Sequence, residues 1–279
     1  MPKSTPLKRS PLFIFGPPVL LSFLGVGLLV QSVSTASPKL EMVNEQISIN
    51  AAPGVVPPTP GLTDYIYPRL TIDSANQPLV VVNKLRALDP IDFAPPSLTV
   101  MPSSESLDNS RELVLAPSAA NALVLMAERM HAEGYGQLFV NSAYRTYDYQ
   151  AELFESKTRQ YGLAGALVRS AKAGHSEHQT GLAVDVSVPV QGCAIMTCFG
   201  ETVGGKWVAA NSWRFGFIVR YEEETTAITG YSYEPWHLRF VGEELAAEYS
   251  KNGIHTLEEF WSLPAAEFYL EEVVESKID

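Results

Sequence analysis

Over residues 118–133 the apolar positions Leu123, Met126, Ala127 and Met130 recur at helical spacing and Gly134 supplies a stop, so this segment predicts a helix. The period then changes. Residues 137–142 alternate, with Leu138 and Val140 turned inward, and predict a strand. Residues 147–161 read as a second helix with Leu153 and Phe154 as its core contacts. In 182–188 the residues Leu182, Val184, Val186 and Val188 share one strand face, while Ala183, Asp185 and Ser187 share the other. Further strands are predicted at 215–221 and 236–240, followed by a helix over 242–252. Mixed helices and strands in this order imply an α+β domain, a small and mainly antiparallel sheet flanked by helices.

Outside that region the pattern changes character. Residues 1–36 carry Lys3, Lys8 and Arg9, no acidic residue, and an apolar run of 19 residues from Leu12 to Val30. Basic residues before such a run predict an N-terminus in the cytoplasm and the bulk of the chain outside, with this segment as its contact with the membrane. Ser34, Thr35 and Ala36 suit a signal peptidase, so the segment reads either as an anchor or as a cleaved signal. Residues 37–78 hold Pro53, Pro57, Pro58, Pro60 and Pro68 with Gly54 and Gly61, the composition of an extended stalk. A folded domain is expected over 79–265, and the acidic stretch 266–279 is expected as a solvated helix or a frayed end.

Composition narrows the function classes. A hydrophobic share of 46% with 18% charged residues is that of a globular protein. The formal charge of −11 argues against nucleic acid, whose phosphates require clustered Lys and Arg. The two cysteines, Cys193 and Cys198, are too few for a four-cysteine metal module. In an exported domain so close a pair most simply forms a disulfide that stiffens a lip of a site, with free thiols as the alternative where nothing oxidises them.

Five histidines are present, and two of them sit among dense polar residues: His178 in the run 174–185, and His237 after Glu234-Pro235-Trp236. A hydrolytic metal site needs three protein ligands, an open position for water, and a separate carboxylate to take that water's proton. Asp185 lies on a strand between Val184 and Val186, where an unpaired carboxylate is costly, so metal ligation or a salt bridge must satisfy it. His178, Asp185 and His237 are the candidate ligands and Glu234 the candidate base. His175, three residues before His178, is placed behind it as an orienting group.

The runs Ser176-Glu177-His178-Gln179-Thr180-Gly181-Leu182-Ala183-Val184-Asp185 and Glu234-Pro235-Trp236-His237 together resemble the signature of the VanY-type D-alanyl-D-alanine carboxypeptidases. That zinc fold is shared with VanX-type dipeptidases and the hedgehog signalling domain. Ser142-Ala143-Tyr144-Arg145-Thr146-Tyr147 with Gln150 is similar to the family's substrate-binding segment, and 215–221 followed by Thr229-Gly230-Tyr231 is similar to the stretch before its catalytic Glu. The resemblance covers about 79–242 in the expected order. It departs at Ala173, where the family often has proline.

The resemblance implies one Zn2+ per domain held by His178, Asp185 and His237, with Glu234 as general base. Arg145 would face the substrate carboxylate or the developing oxyanion, and Gln150, Ser176, Tyr231 and Trp236 would wall the pocket. The implied reaction is removal of a C-terminal D-alanine from peptidoglycan stem peptides outside the cytoplasm. An L,D-carboxypeptidase acting on tetrapeptide stems, an endopeptidase, and a non-catalytic module binding cell-wall peptide are the competing readings. Nothing in the pattern assigns an oligomeric state.

Overall fold

Alternation along the strands builds a five-stranded sheet. In chain order the strands are β1 (Thr99–Val100), β2 (Leu107–Asp108), β3 (Val114–Leu115), β4 (Leu138–Ser142), β5 (Ala183–Ser187), β6 (Phe217–Tyr221) and β7 (Glu234–Phe240). The sheet runs β2-β4-β5-β7-β6, and β1 and β3 form a separate antiparallel pair. Among the described residues only β2 and β4 pair in parallel; the other neighbours are antiparallel, in keeping with the predicted α+β class. The structure, a computed structural model, describes residues 72–271. The apolar segment 1–36, most of the stalk and the end of the acidic tail lie outside the described residues. Among the described residues, no helix is long and apolar enough to cross a membrane.

One face of the sheet rests on helix α1 (Pro117–Ala132), which opens with Pro at its first turn and buries Leu123, Met126, Ala127 and Met130. Val184, Val186, Leu238, Phe240, Phe217 and Val219 meet it in a single apolar cluster. A second cluster, with Leu79, Val81, Ile218 and Leu245, lies under helices α5 (Glu243–Lys251) and α6 (Leu257–Phe260). Helix α2 (Tyr147–Leu167) starts where the Thr146 side chain accepts from the Tyr149 N–H. Its first helical piece ends at the predicted boundary of 161, because Gly162 at φ 71 breaks the helical path before a second short piece runs on to Leu167. Helices α3 (Val203–Asn211) and α4 (Thr226–Thr229) complete the set, neither of them predicted.

Two predicted boundaries need correction. The fold already includes the last residues assigned to the stalk: Ala75 is buried, Val81 N–H donates to Ile72 O, and Arg239 donates to Pro78 O. The acidic tail likewise begins as packed chain, since Ala266 and Tyr269 are fully buried and the Tyr269 hydroxyl accepts from Lys172 N–H. An aromatic ring outweighs the acidic composition around it by the area it buries.

Candidate active site

His178 lies on the short 3-10 turn Glu177–Thr180, which closes through Gly181 in the left-handed region at φ 70. A Cβ at Gly181 would stand 3.2 Å from Ala116 N, so both backbone conformation and space require glycine there. The chain then enters β5, whose Asp185 pairs directly with His237 of β7. Register partners sit close enough for side chains to meet. On the other side, an extra residue in β4 between Val140 and Ser142 brings Ser142 opposite Asp185. Such a bulge re-aims the strand end, and three residues later Arg145 turns into the same cleft.

Strict alternation would put Glu234 and His237 on opposite faces of β7. The register shifts between Val219↔Leu238 and Tyr221↔Glu234, and with the ladder broken both side chains face the cleft, with Glu234 Oε2 3.8 Å from His237 Nδ1. Among the described residues His178, Asp185 and His237 form the one triad able to hold a metal ion, their ligand atoms within 4.8 Å of one another. All three are buried.

The hydrogen bonds fix which atoms face inward. His178 Nδ1 is 2.7 Å from Ala143 O, and a carbonyl only accepts, so Nδ1 carries the proton. Burial, with Arg145 nearby, lowers the His178 pKa to about 4 despite Asp185, so the ring is neutral near pH 7. Its Nε2 lone pair therefore faces Asp185 Oδ2 at 3.3 Å, two acceptors that a cation held between them would reconcile. His237 is held from both ends, Nδ1 3.1 Å from Asp185 Oδ1 and Nε2 3.3 Å from Glu177 Oε2. Burial opposes its charge, but the bonds to Asp185 and Glu177 raise its pKa to about 9. The pocket thus stabilises positive charge at this point, and the donor set of two imidazoles and a carboxylate fits a divalent cation. Burial raises the Glu234 carboxyl to about 7, with Asp185 adding to the rise and His237, Arg145 and Lys157 opposing it.

Arg145 is fixed by three bonds: Nε to Ser142 Oγ at 2.9 Å, Nη1 to Gln150 Oε1 at 3.1 Å, and Nη2 to Asp185 Oδ2 at 3.0 Å. Gln150, expected as a pocket wall, is fully buried and does not line the cleft; its amide donates to Ser170 Oγ and Ala171 O. Ser176, Tyr231 and Trp236 do line the cleft, which measures roughly 720 Å³. Tyr231 is nearly all packed, its ring 4.8 Å from Tyr221. His175 does not touch His178: its Nδ1 lies 2.8 Å from Asn83 O and its ring stands edge-on to Tyr269. The orienting group of His178 is the Ala143 carbonyl instead. Cys193 and Cys198 are joined in a disulfide, and the residues between them, Ile195 to Thr197, form one rim of the cleft.

Sequence reasoning missed the layer behind the site. Glu177 Oε1 accepts from Arg220 Nε and from Arg239 Nη1, each at 2.9 Å. Arg220 forks onto Glu258 at 3.0 and 2.8 Å, and Asn83 Nδ2 donates to the same carboxylate at 2.8 Å. Arg220 and Arg239 are fully buried. Burial works against the Glu177 charge, yet the two guanidiniums hold its carboxyl well below the usual range. The signal was present: an arginine one residue from the end of each of two buried strands, 217–221 and 234–240, demands a buried acid.

A match to the VanY: D-alanyl-D-alanine carboxypeptidase family covers residues 112–243. The chain is similar to the putative carboxypeptidase YodJ of Bacillus subtilis (strain 168), 38% identical over 192 residues, 68% of this chain and 69% of that protein. Its structure is similar to that of the LdcB LD-carboxypeptidase, with TM-score 0.61 and 38% identity over 67% of this chain and 87% of the other. It is also similar to a Zn(II) complex of a mutant D,D-pentapeptidase VanY from a VanB-type resistance cassette, with TM-score 0.55 and 31% identity over 65% and 97% of the two chains.

Proposed function

Since the chain belongs to the VanY family of D-alanyl-D-alanine carboxypeptidases, we propose that it is a zinc peptidase releasing the C-terminal D-alanine of peptidoglycan stem peptides outside the cytoplasm, anchored by or freed from residues 1–36. The observation that carries the reading is the convergence of His178, Asp185, His237 and Glu234 on one cleft. His178 through Nε2, Asp185, and His237 through Nδ1 would hold one zinc ion. Bound there, zinc lowers the pKa of a water and polarises the scissile carbonyl. Glu234 takes the proton of the attacking water and returns it to the amine of the departing D-alanine. Arg145, preset by Ser142 and Gln150, presents its guanidinium to the substrate carboxylate or to the oxyanion. Ser176 and Trp236 shape the walls, and the disulfide-closed rim holds Ile195 and Met196 against the cleft.

The first reading is D,D-hydrolysis of pentapeptide stems. A second, L,D-hydrolysis of tetrapeptide stems, is favoured by the higher identity and TM-score of the LdcB likeness. The test is to incubate the full zinc-loaded chain with each stem peptide and follow D-alanine by mass spectrometry, with a chelator and the Glu234→Gln variant as controls. Release that the chelator abolishes establishes the reaction, and the peptide consumed fixes the specificity. Glu234→Gln should keep its zinc and lose about 10²–10⁴ in kcat. Peptide binding without release would move the assignment to a binding module, and cleavage within peptides lacking a free C-terminal carboxylate would move it to an endopeptidase.

A further inference from the structure

A second cavity, roughly 330 Å³, is lined by residues of β6, the 3-10 turn Ser212–Phe215 and the end of α5. It stands behind the candidate base: Glu234, Trp236 and His237 line the cleft, Pro235 lines this cavity, and only Tyr233 lines both. Nothing in the proposed reaction uses it. Trp213, Ile218, Val219, Pro235 and Ile254 give it apolar walls. Its charged and titratable lining is Glu222, Glu223, His255 and two tyrosines, with no lysine or arginine.

The polar groups of this cavity are incompletely satisfied. Tyr249 of α5 lines it at 4% exposure, and its hydroxyl is the one buried side-chain polar atom among the described residues without a hydrogen-bond partner. Leaving a buried hydroxyl unbonded costs free energy that a bonded ligand recovers. Burial raises the Tyr249 pKa, so the hydroxyl stays protonated; Arg220 opposes the rise, but that guanidinium is already bonded to Glu177 and Glu258, and Glu222 adds to it. Glu222 Oε2 lies 2.7 Å from His255 Nδ1, which leaves its other oxygen free of that contact. Glu223 is exposed and makes no ion pair among the described residues. Burial also raises the Tyr233 pKa, with Glu223, Glu201 and Glu222 acting in the same sense. Both tyrosines of the cavity therefore sit in a negative field.

These groups select the ligand. An anion is opposed by both glutamates. A bare metal ion needs several close donors, and the one such grouping of three among the described residues is the His178 triad in the cleft. An ammonium on an aliphatic chain suits every surface: its N–H groups bond the Tyr249 hydroxyl and the carboxylates, and its methylenes cover the apolar walls. Trp213 and Tyr233 add rings of the kind that attract cations. A cavity of this size is at the small end for ligand sites, enough for one side chain and not for a folded segment. We infer that the cavity is a binding site for a lysine-type group, a primary ammonium on an aliphatic chain, held by Tyr249, Glu222 and Glu223.

The experiment titrates the full chain by calorimetry with Nα-acetyl-lysine methylamide, with its norleucine analogue, which lacks the ammonium, and with cadaverine. The lysine compound should bind about tenfold more tightly than the norleucine compound. Tyr249→Phe should weaken it about tenfold, and Glu223→Gln about threefold, less because Glu223 is exposed. Tyr249→Phe should melt no lower than wild type, because the hydroxyl has no partner to lose, so weaker binding there is not misfolding. Tighter binding of the lysine compound than of cadaverine supports a peptide side chain as the ligand, and the reverse supports a free amine. Equal affinity for the lysine and norleucine compounds overturns the inference, as does binding of neither the lysine compound nor cadaverine. Binding that neither variant weakens also overturns it, because the acidic cleft would then be the host. The readout needs neither zinc nor D-alanine release, so the inference stands or falls separately from the proposed function.

Discussion

On one side of β5 and β7, Val184, Val186, Leu238 and Phe240 pack against α1; on the other, Asp185, His237 and Arg239 meet Glu177, Arg220 and Glu258. Both sides are dry. Arg220, Arg239 and Glu177 are as inaccessible as the valines behind them. The apolar side holds by contact area, which is non-directional and adapts to small changes of shape. The polar side holds by paired charges with defined geometry, and the same pairs run from α6 through Arg220 and Glu177 to the His237 ring. Directional bonds are what a site needs, since they fix the nitrogen that each histidine presents. Their cost is brittleness, because removing one partner leaves a buried charge unpaired.

The comparison breaks hardest at Glu177. Glu177→Ala strips Arg239 of its carboxylate and His237 of its Nε2 partner, and should cost about 3–5 kcal/mol in denaturant unfolding together with weakened zinc retention. A loss below about 1 kcal/mol with zinc retained would show that the polar side is ornament and not support. Val184→Ala sharpens the contrast from the apolar side. It should cost about 2 kcal/mol through lost burial and a small cavity while zinc stoichiometry stays unchanged. Zinc loss in that variant would mean the two faces cannot be treated separately.

The smallest effect is expected in acid, at the far end of the network. Burial pushes the Glu258 carboxyl up, but Arg220 and the Asn83 bond outweigh it, and its pKa lies below the ordinary value. A lowered folded-state pKa contributes stability that is present above the unfolded glutamate pKa of about 4.3 and is lost as pH falls through the folded value. Thermal unfolding between about pH 5 and 3 should therefore fall more steeply in wild type than in Glu258→Gln, by on the order of 1 kcal/mol. Parallel curves for the two proteins would remove Glu258 from the account.

Where local chemistry decides an outcome, the sequence was enough. The spacing of Leu123, Met126 and Met130 yields the core helix, and alternation through 182–188 separates the valines from Asp185, because both follow from backbone period alone. The pairing of Cys193 with Cys198, five residues apart in one loop, is local in the same sense. The convergence of His178, Asp185, His237 and Glu234 was legible through motif resemblance, but the spacing of those residues left them as candidates. Only tertiary structure decided the rest. The two irregular registers that turn Arg145 and Glu234 into the cleft depend on how β4 and β7 pair with their neighbours. The choice of Ala143 over His175 as the partner of His178 depends on loops brought together across the fold. The Glu177–Arg220–Glu258 chain joins residues 43 and 38 positions apart. Such contacts carry no periodic signal, since what selects them is the requirement that every buried charge find a partner, and the partner's place is known only once the chain has closed.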